Sequence, residues 1–139
     1  MTNLTVKRIL VVIGVIGLMA APAAYAQISL MRVEVPFQFL AGGKVLPAGL
    51  YRVALDTATQ RMELRMLDRA DGIYLSARTT NRPEAWGQNQ LSFHKYGNTY
   101  FLRQVVTAGR TSELPPSAAE IELAKANNVE VAFVRSSGK

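Results

Sequence analysis

Two patterns of apolar and polar residues divide this chain. From Ile9 to Met19 the residues are uncharged and almost all apolar, whereas from Arg32 onward apolar and polar positions alternate in short runs. Alternation with a period of two marks a strand with one buried face. Val33, Val35, Phe37 and Phe39 form the first such set, opposite Arg32, Glu34, Pro36 and Gln38. Pro36 has no amide hydrogen to give to a ladder, so this strand is predicted at a sheet edge or a bulge near residue 36. Turns are expected at Ala41-Gly42-Gly43-Lys44 and Leu46-Pro47-Ala48-Gly49, with Val45 between them and a strand from Leu50 to Leu55 after them. Its inner face carries Tyr51, Val53 and Leu55.

Beyond the loop Asp56 to Gln60, the segment Arg61–Leu67 alternates Met62, Leu64 and Met66 with charged residues. Good helix formers fill it, but the loop-and-strand rhythm on either side favours a strand over a helix. Asp68 to Gly72 supplies a turn, and Ile73, Leu75 and Ala77 form the inner face of the next strand. Asn81 to Asn89 reads as a long polar loop carrying the only tryptophan, Trp86. The clearest hairpin spans Leu91 to Val106 around Gly97-Asn98, a turn pair that calls for positive backbone dihedrals. A two-residue loop pairs Tyr96 with Thr99, Lys95 with Tyr100, His94 with Phe101, Phe93 with Leu102 and Ser92 with Arg103. The Phe93/Leu102 face is assigned to the core.

Leu114-Pro115-Pro116 then stops the strand, and Ser117-Ala118-Ala119-Glu120 fits a capping box in which each end residue's side chain bonds the other's amide. A helix from Ala118 to about Ala126 is expected, with a narrow stripe of Ile121, Ala124 and Lys125. The alternating residues Val129, Val131 and Phe133 return the chain to the sheet. The fold class is mainly β: a small antiparallel curved sheet, barrel or sandwich of about seven strands, with one C-terminal helix.

The first segment changes the picture of where this domain works. Lys7-Arg8, the apolar run after it, and the small residues Ala24 and Ala26 are the three parts of a cleavable secretory signal. Residues 1–26 are therefore expected to be a signal peptide and 27–139 a single β-rich domain, exported to the periplasm or the cell exterior. The run is shorter than the roughly 20 residues that span a bilayer and is broken by Gly14, Gly17 and Pro22, so no integral membrane segment is expected after cleavage. The chain has no cysteine. A lipid anchor through a cysteine thiol is thus excluded, and the domain gains nothing from disulfides. Without Lys7 and Arg8, 14 basic residues remain against 10 acidic ones, a net charge near +4. These charges are dispersed along the chain, which argues against a nucleic-acid partner.

Little in the residues points to catalysis. A thiol nucleophile is impossible, and His94 is the only histidine, so the usual zinc clusters cannot form. His94 shares a strand face with Ser92 and Tyr96, which leaves a hydrolase using His94 as an alternative without an evident acidic partner. Asp68 to Gly72 resembles half a calcium loop but lacks the remaining oxygen ligands. Gly42-Gly43-Lys44 lacks the glycine spacing of a phosphate loop. Neither a catalytic residue, a metal nor a cofactor is expected. Trp86, with Arg82 nearby and His94 and Tyr96 on the non-core face, forms the candidate binding surface, because an exposed aromatic can stack on a sugar or anchor a protein.

Three motifs carry a resemblance. Val35-Pro36-Phe37-Gln38-Phe39, Leu46-Pro47-Ala48-Gly49-Leu50-Tyr51 and Phe93-His94-Lys95-Tyr96-Gly97-Asn98-Thr99-Tyr100-Phe101-Leu102, followed by Glu113-Leu114-Pro115-Pro116-Ser117, resemble a group of small exported bacterial proteins with PF-x-F, LPAG-x-Y and FH-x-YG-x-x-YFL motifs. The resemblance implies the fold and the export, and transfers no activity or site residue. The function expected is a non-catalytic binding or envelope-structural module with a protein or glycan partner. The alternatives are a small barrel carrying an apolar ligand and the hydrolase. An edge strand at Pro36 offers a route to self-association.

Overall fold

Runs that each bury one face must pack those faces together, and the computed structural model, which describes residues 28–69, 72–80, 88–107 and 109–136, does so with two sheets. In chain order the elements are β1 (Ile28–Val35), β2 (Phe39–Ala41), β3 (Lys44–Leu46), β4 (Gly49–Asp56), β5 (Arg61–Met66), β6 (Gly72–Ser76), β7 (Arg78–Thr80), β8 (Gln90–Tyr96), β9 (Thr99–Thr107), β10 (Arg110–Glu113), helix α1 (Ala118–Ala126) and β11 (Glu130–Arg135). The first sheet is antiparallel in the order β1-β4-β5-β6, and the second runs β11-β8-β9-β10-β7. The short pair β2-β3 joins the second sheet through a parallel bridge from Leu40 to Phe101. The sheets do not close into a barrel.

Eleven strands thus stand among the described residues where about seven were expected: the short β3 and β10 are two of the additions, and the other two arise because the chain changes sheet without changing parity. The strand expected to run through Phe39 begins at Ile28 and stops at Val35. Pro36 breaks the ladder, and β2 resumes in the other sheet. Both sheets face one core, so Val33 and Val35 on one side of the break and Phe39 on the other are all buried. Ala77 marks a second crossing, from β6 to β7, its amide donating to the Gln60 carbonyl at 3.0 Å. β1 is an edge strand, as expected of a proline-terminated segment. Arg61–Met66 is a strand, flanked by β4 and β6.

Between the sheets the core is filled by side chains. Met31, Val33, Tyr51, Val53, Leu55, Met62 and Leu64 come from the first sheet, and Phe39, Leu91, Phe93, Leu102 and Val105 from the second. Phe39 sits edge-on to both Tyr51 and Phe93, each with ring centroids 5.3 Å apart. This space, which a carrier of apolar ligands would need open, is occupied. The Tyr51 hydroxyl donates to the carbonyl of Pro47 and ties the turn before β4 to the core. Burial pushes its pKa up. Among the described residues no helix is long and apolar enough to cross a membrane.

Candidate functional site

The hairpin β8-β9 builds the site. Its turn follows expectation, Tyr96 facing Thr99, but only Gly97 has a positive φ, at +60°. Phe93 pairs with Leu102 toward the core, and His94 with Phe101 on the outer face. The pairing of Ser92 with Arg103 does not form, because a bulge shifts the register and sets Ser92 against Gln104. A bulge adds one unpaired residue to a strand, here Arg103. Its carbonyl accepts from the Leu114 amide at 2.8 Å, and its guanidinium and the Gln104 amide both serve the outer side.

That bulge explains how α1 is held. Ser117 caps the helix, its hydroxyl accepting from the Glu120 amide at 3.3 Å. The other half of the expected capping box is absent. Glu120, the helix's one buried residue, instead directs its carboxylate onto the hairpin. Arg103 Nη1 donates to Oε2 at 3.0 Å, the Tyr96 hydroxyl to Oε1 at 3.3 Å, and His94 Nδ1 lies 3.2 Å from Oε1. The expected stripe of Ile121, Ala124 and Lys125 faces solvent. A buried carboxylate needs such partners to offset its lost hydration. Burial, and then the Glu120 carboxylate, raise the Tyr96 pKa, since the phenolate would be both desolvated and repelled. Tyr96 is thereby removed from the candidate binding surface: it is buried beneath the helix. Trp86 and Arg82 lie outside the described residues.

His94 is different, because only its Nδ1 edge is committed to Glu120. Its other edge borders an open concavity of about 620 Å³ on the outer face of the second sheet. Register lays out the floor of this groove in cross-strand rows. Val131 lies opposite His94, Phe133 opposite Ser92 and then Gln104, and Arg135 opposite Gln90 and then Val106. Gln88 closes one end. On β11 the smaller residues Ala132 and Val134 pack toward the core, while Val131 and Phe133 point outward, Phe133 with 60 % of its surface exposed. The site thus offers an exposed aromatic ring, three side-chain amides, a guanidinium and an imidazole, with Ser92 buried in its floor. Gln104 is held in place by donating to Glu113 at 3.1 Å.

Chemically the groove can grip a ligand that has both hydroxyls and apolar ring faces. A carboxylate behind an imidazole is also the arrangement that orients a general base. Among the described residues no cluster of three or more metal-ligating side chains occurs. Comparison of the chain with protein-family models, curated proteins and solved structures returns no match.

Proposed function

We propose that this chain is an exported, non-catalytic binding module, working in the periplasm or outside the cell, that holds an envelope glycan on the outer face of its second sheet. The observation that carries the reading is the groove's cross-strand rows: Phe133 stands exposed amid the side chains of Gln90, Gln104 and Arg135. A pyranose ring has an apolar face that stacks on an aromatic ring and a rim of hydroxyls that paired amide donors and acceptors satisfy. Rigid strands with positions fixed by register hold such groups in place without a large ordering cost. The signal-like segment 1–26 and the absence of cysteine support a domain released into the envelope. Titration with an N-acetylated amino-sugar oligomer tests the proposal. Phe133→Ala is expected to weaken binding by about fivefold or more, an effect of ~1 kcal/mol, whereas Ile121→Ala, on the exposed side of α1, leaves it unchanged. Equal affinity for wild type and Phe133→Ala would remove the groove from consideration.

A second reading rests on the 3.2 Å approach of His94 to Glu120, which supplies the acidic partner that a histidine base needs. In that reading the groove hydrolyses what it binds. Cleavage of the oligomer during titration, lost in His94→Ala, would favour the hydrolase over the binding module.

A further inference from the structure

The contact between α1 and His94 decides what the groove presents to a ligand. A carboxylate only accepts hydrogen bonds, so the His94 nitrogen lying 3.2 Å from Glu120 Oε1 must carry a hydrogen on that side. The other groups on this carboxylate are donors as well, Arg103 Nη1 at 3.0 Å from Oε2 and the Tyr96 hydroxyl at 3.3 Å from Oε1. A neutral imidazole has one N–H, and a hydrogen on Nδ1 leaves the lone pair on Nε2. The opposite tautomer would set two lone pairs against each other across the same 3.2 Å. The charged groups on the neighbouring strands are directed elsewhere. Lys95, next along β8, points to the other side of the sheet and lies 3.8 Å from Glu130 of β11. Opposite His94 on β11 stands Val131, and Arg135 lies at the far end of the groove, opposite Gln90.

Nε2 is the edge that borders the groove. Among the described residues that line it there is no carboxylate, so its acceptors are the amide oxygens and this nitrogen. Nε2 is set apart because a buried ionic group holds its ring from behind: Glu120 keeps only 3 % of its side-chain surface exposed, and His94 31 %. A second group that fixes the tautomer of a histidine decides whether the free ring nitrogen gives or takes a hydrogen bond. We propose that Glu120 is a positioning residue that fixes His94 as the Nδ1–H tautomer, so that the groove offers an acceptor at Nε2 and seats a hydroxyl or amide N–H of its ligand there. A carboxylate in that place would meet the lone pair and be disfavoured. The ligand half of this inference rests on the glycan reading of the groove, and the tautomer half stands without it.

His94 is the only histidine in the chain, so the imidazole nitrogen resonances of the untagged, nitrogen-15-labelled protein report on it alone. At about pH 8.5, above the range in which histidine ordinarily changes charge, the wild type is expected to show a protonated Nδ1 and a bare Nε2. A proton on Nε2 overturns the proposal. In Glu120→Gln the side-chain amide can turn either its oxygen or its nitrogen to Nδ1, so both tautomers are expected. Tyr96→Phe, which removes the other donor to Oε1, should keep the wild-type signature. Mixed tautomers in that variant too would make the state of His94 a consequence of helix docking in general and overturn Glu120 as its positioning residue. Titration with the N-acetylated amino-sugar oligomer then tests the ligand half. The Nε2 resonance is expected to move as the groove fills, and affinity to fall about fivefold in Glu120→Gln for the loss of one hydrogen bond. An Nε2 resonance that stays still at saturation overturns the contact. Absence of binding by every form would overturn the ligand half together with the glycan reading, while a bare Nε2 in the same wild-type sample would uphold Glu120 as the positioning residue.

Discussion

Gly97 and Tyr96, adjacent in the chain, show two ways a single residue constrains this molecule. A Cβ added at Gly97 would meet nothing within 4 Å, so the cost of replacing it is the backbone's alone, at φ +60°. Placing a β-branched residue in that left-handed region costs about 1–2 kcal/mol. Gly97→Val should therefore lower the unfolding free energy by about that amount in a denaturant titration, and an unchanged midpoint would contradict the turn geometry. At Tyr96 the constraint is protonation. Its pKa is raised in the folded state by burial and by Glu120, so its contribution to stability is fully present below the unfolded value of about 10. That contribution is lost as pH climbs through the higher folded value. Tyr96→Phe should lose less stability between pH 8 and pH 11, measured by urea unfolding, than wild type loses. Tyr51, raised by its own burial, continues to contribute to the alkaline loss in both proteins.

At the scale of elements, α1 is docked by one ionic group in place of an apolar face. Arg103 and His94 keep 21 % and 31 % of their side-chain surface exposed, so the cost of deleting the carboxylate falls below that of a fully buried pair. Glu120→Ala is expected to cost about 2–3 kcal/mol and to raise amide exchange throughout α1, with β4 and β5 unaffected. Exchange in α1 equal to wild type would show that something else holds the helix. The helix bounds, Ala118–Ala126, and its Ser117 cap were legible in the sequence because capping is local chemistry. The role of Glu120 was not, since the same Ser-x-x-Glu spacing serves a capping box and a tertiary anchor equally. One signal was present: a helix whose stripe includes Lys125 has little apolar surface to bury. The hairpin pairings were legible from the turn up to Phe93/Leu102 and failed at Arg103, because a bulge of this kind has no residue signature. On β11 alternation was visible, but with Val131, Ala132, Phe133 and Val134 all apolar it could not say which parity faces the core. Phe133 was missed as a site residue for that reason.

For the whole molecule, period-two patterning identified an all-β fold with one late helix, yet could not separate a barrel from a sandwich. The chain crosses between sheets at Pro36 and Ala77 with its parity intact, so the pattern reads the same whether the strands lie in one sheet or two. What the assembled molecule adds is an amide-lined groove beside His94, which could not be seen before register placed β11 beside β8. If the second sheet's outer face is the glycan-binding face, an amide chemical-shift titration of the isotope-labelled chain with the N-acetylated amino-sugar oligomer will map onto it. Saturable shifts concentrated at Gln90, Ser92, His94, Gln104, Val131 and Phe133 are expected. Shifts confined to the outer positions of β1, β4 and β5, or none at saturating oligomer, would contradict it.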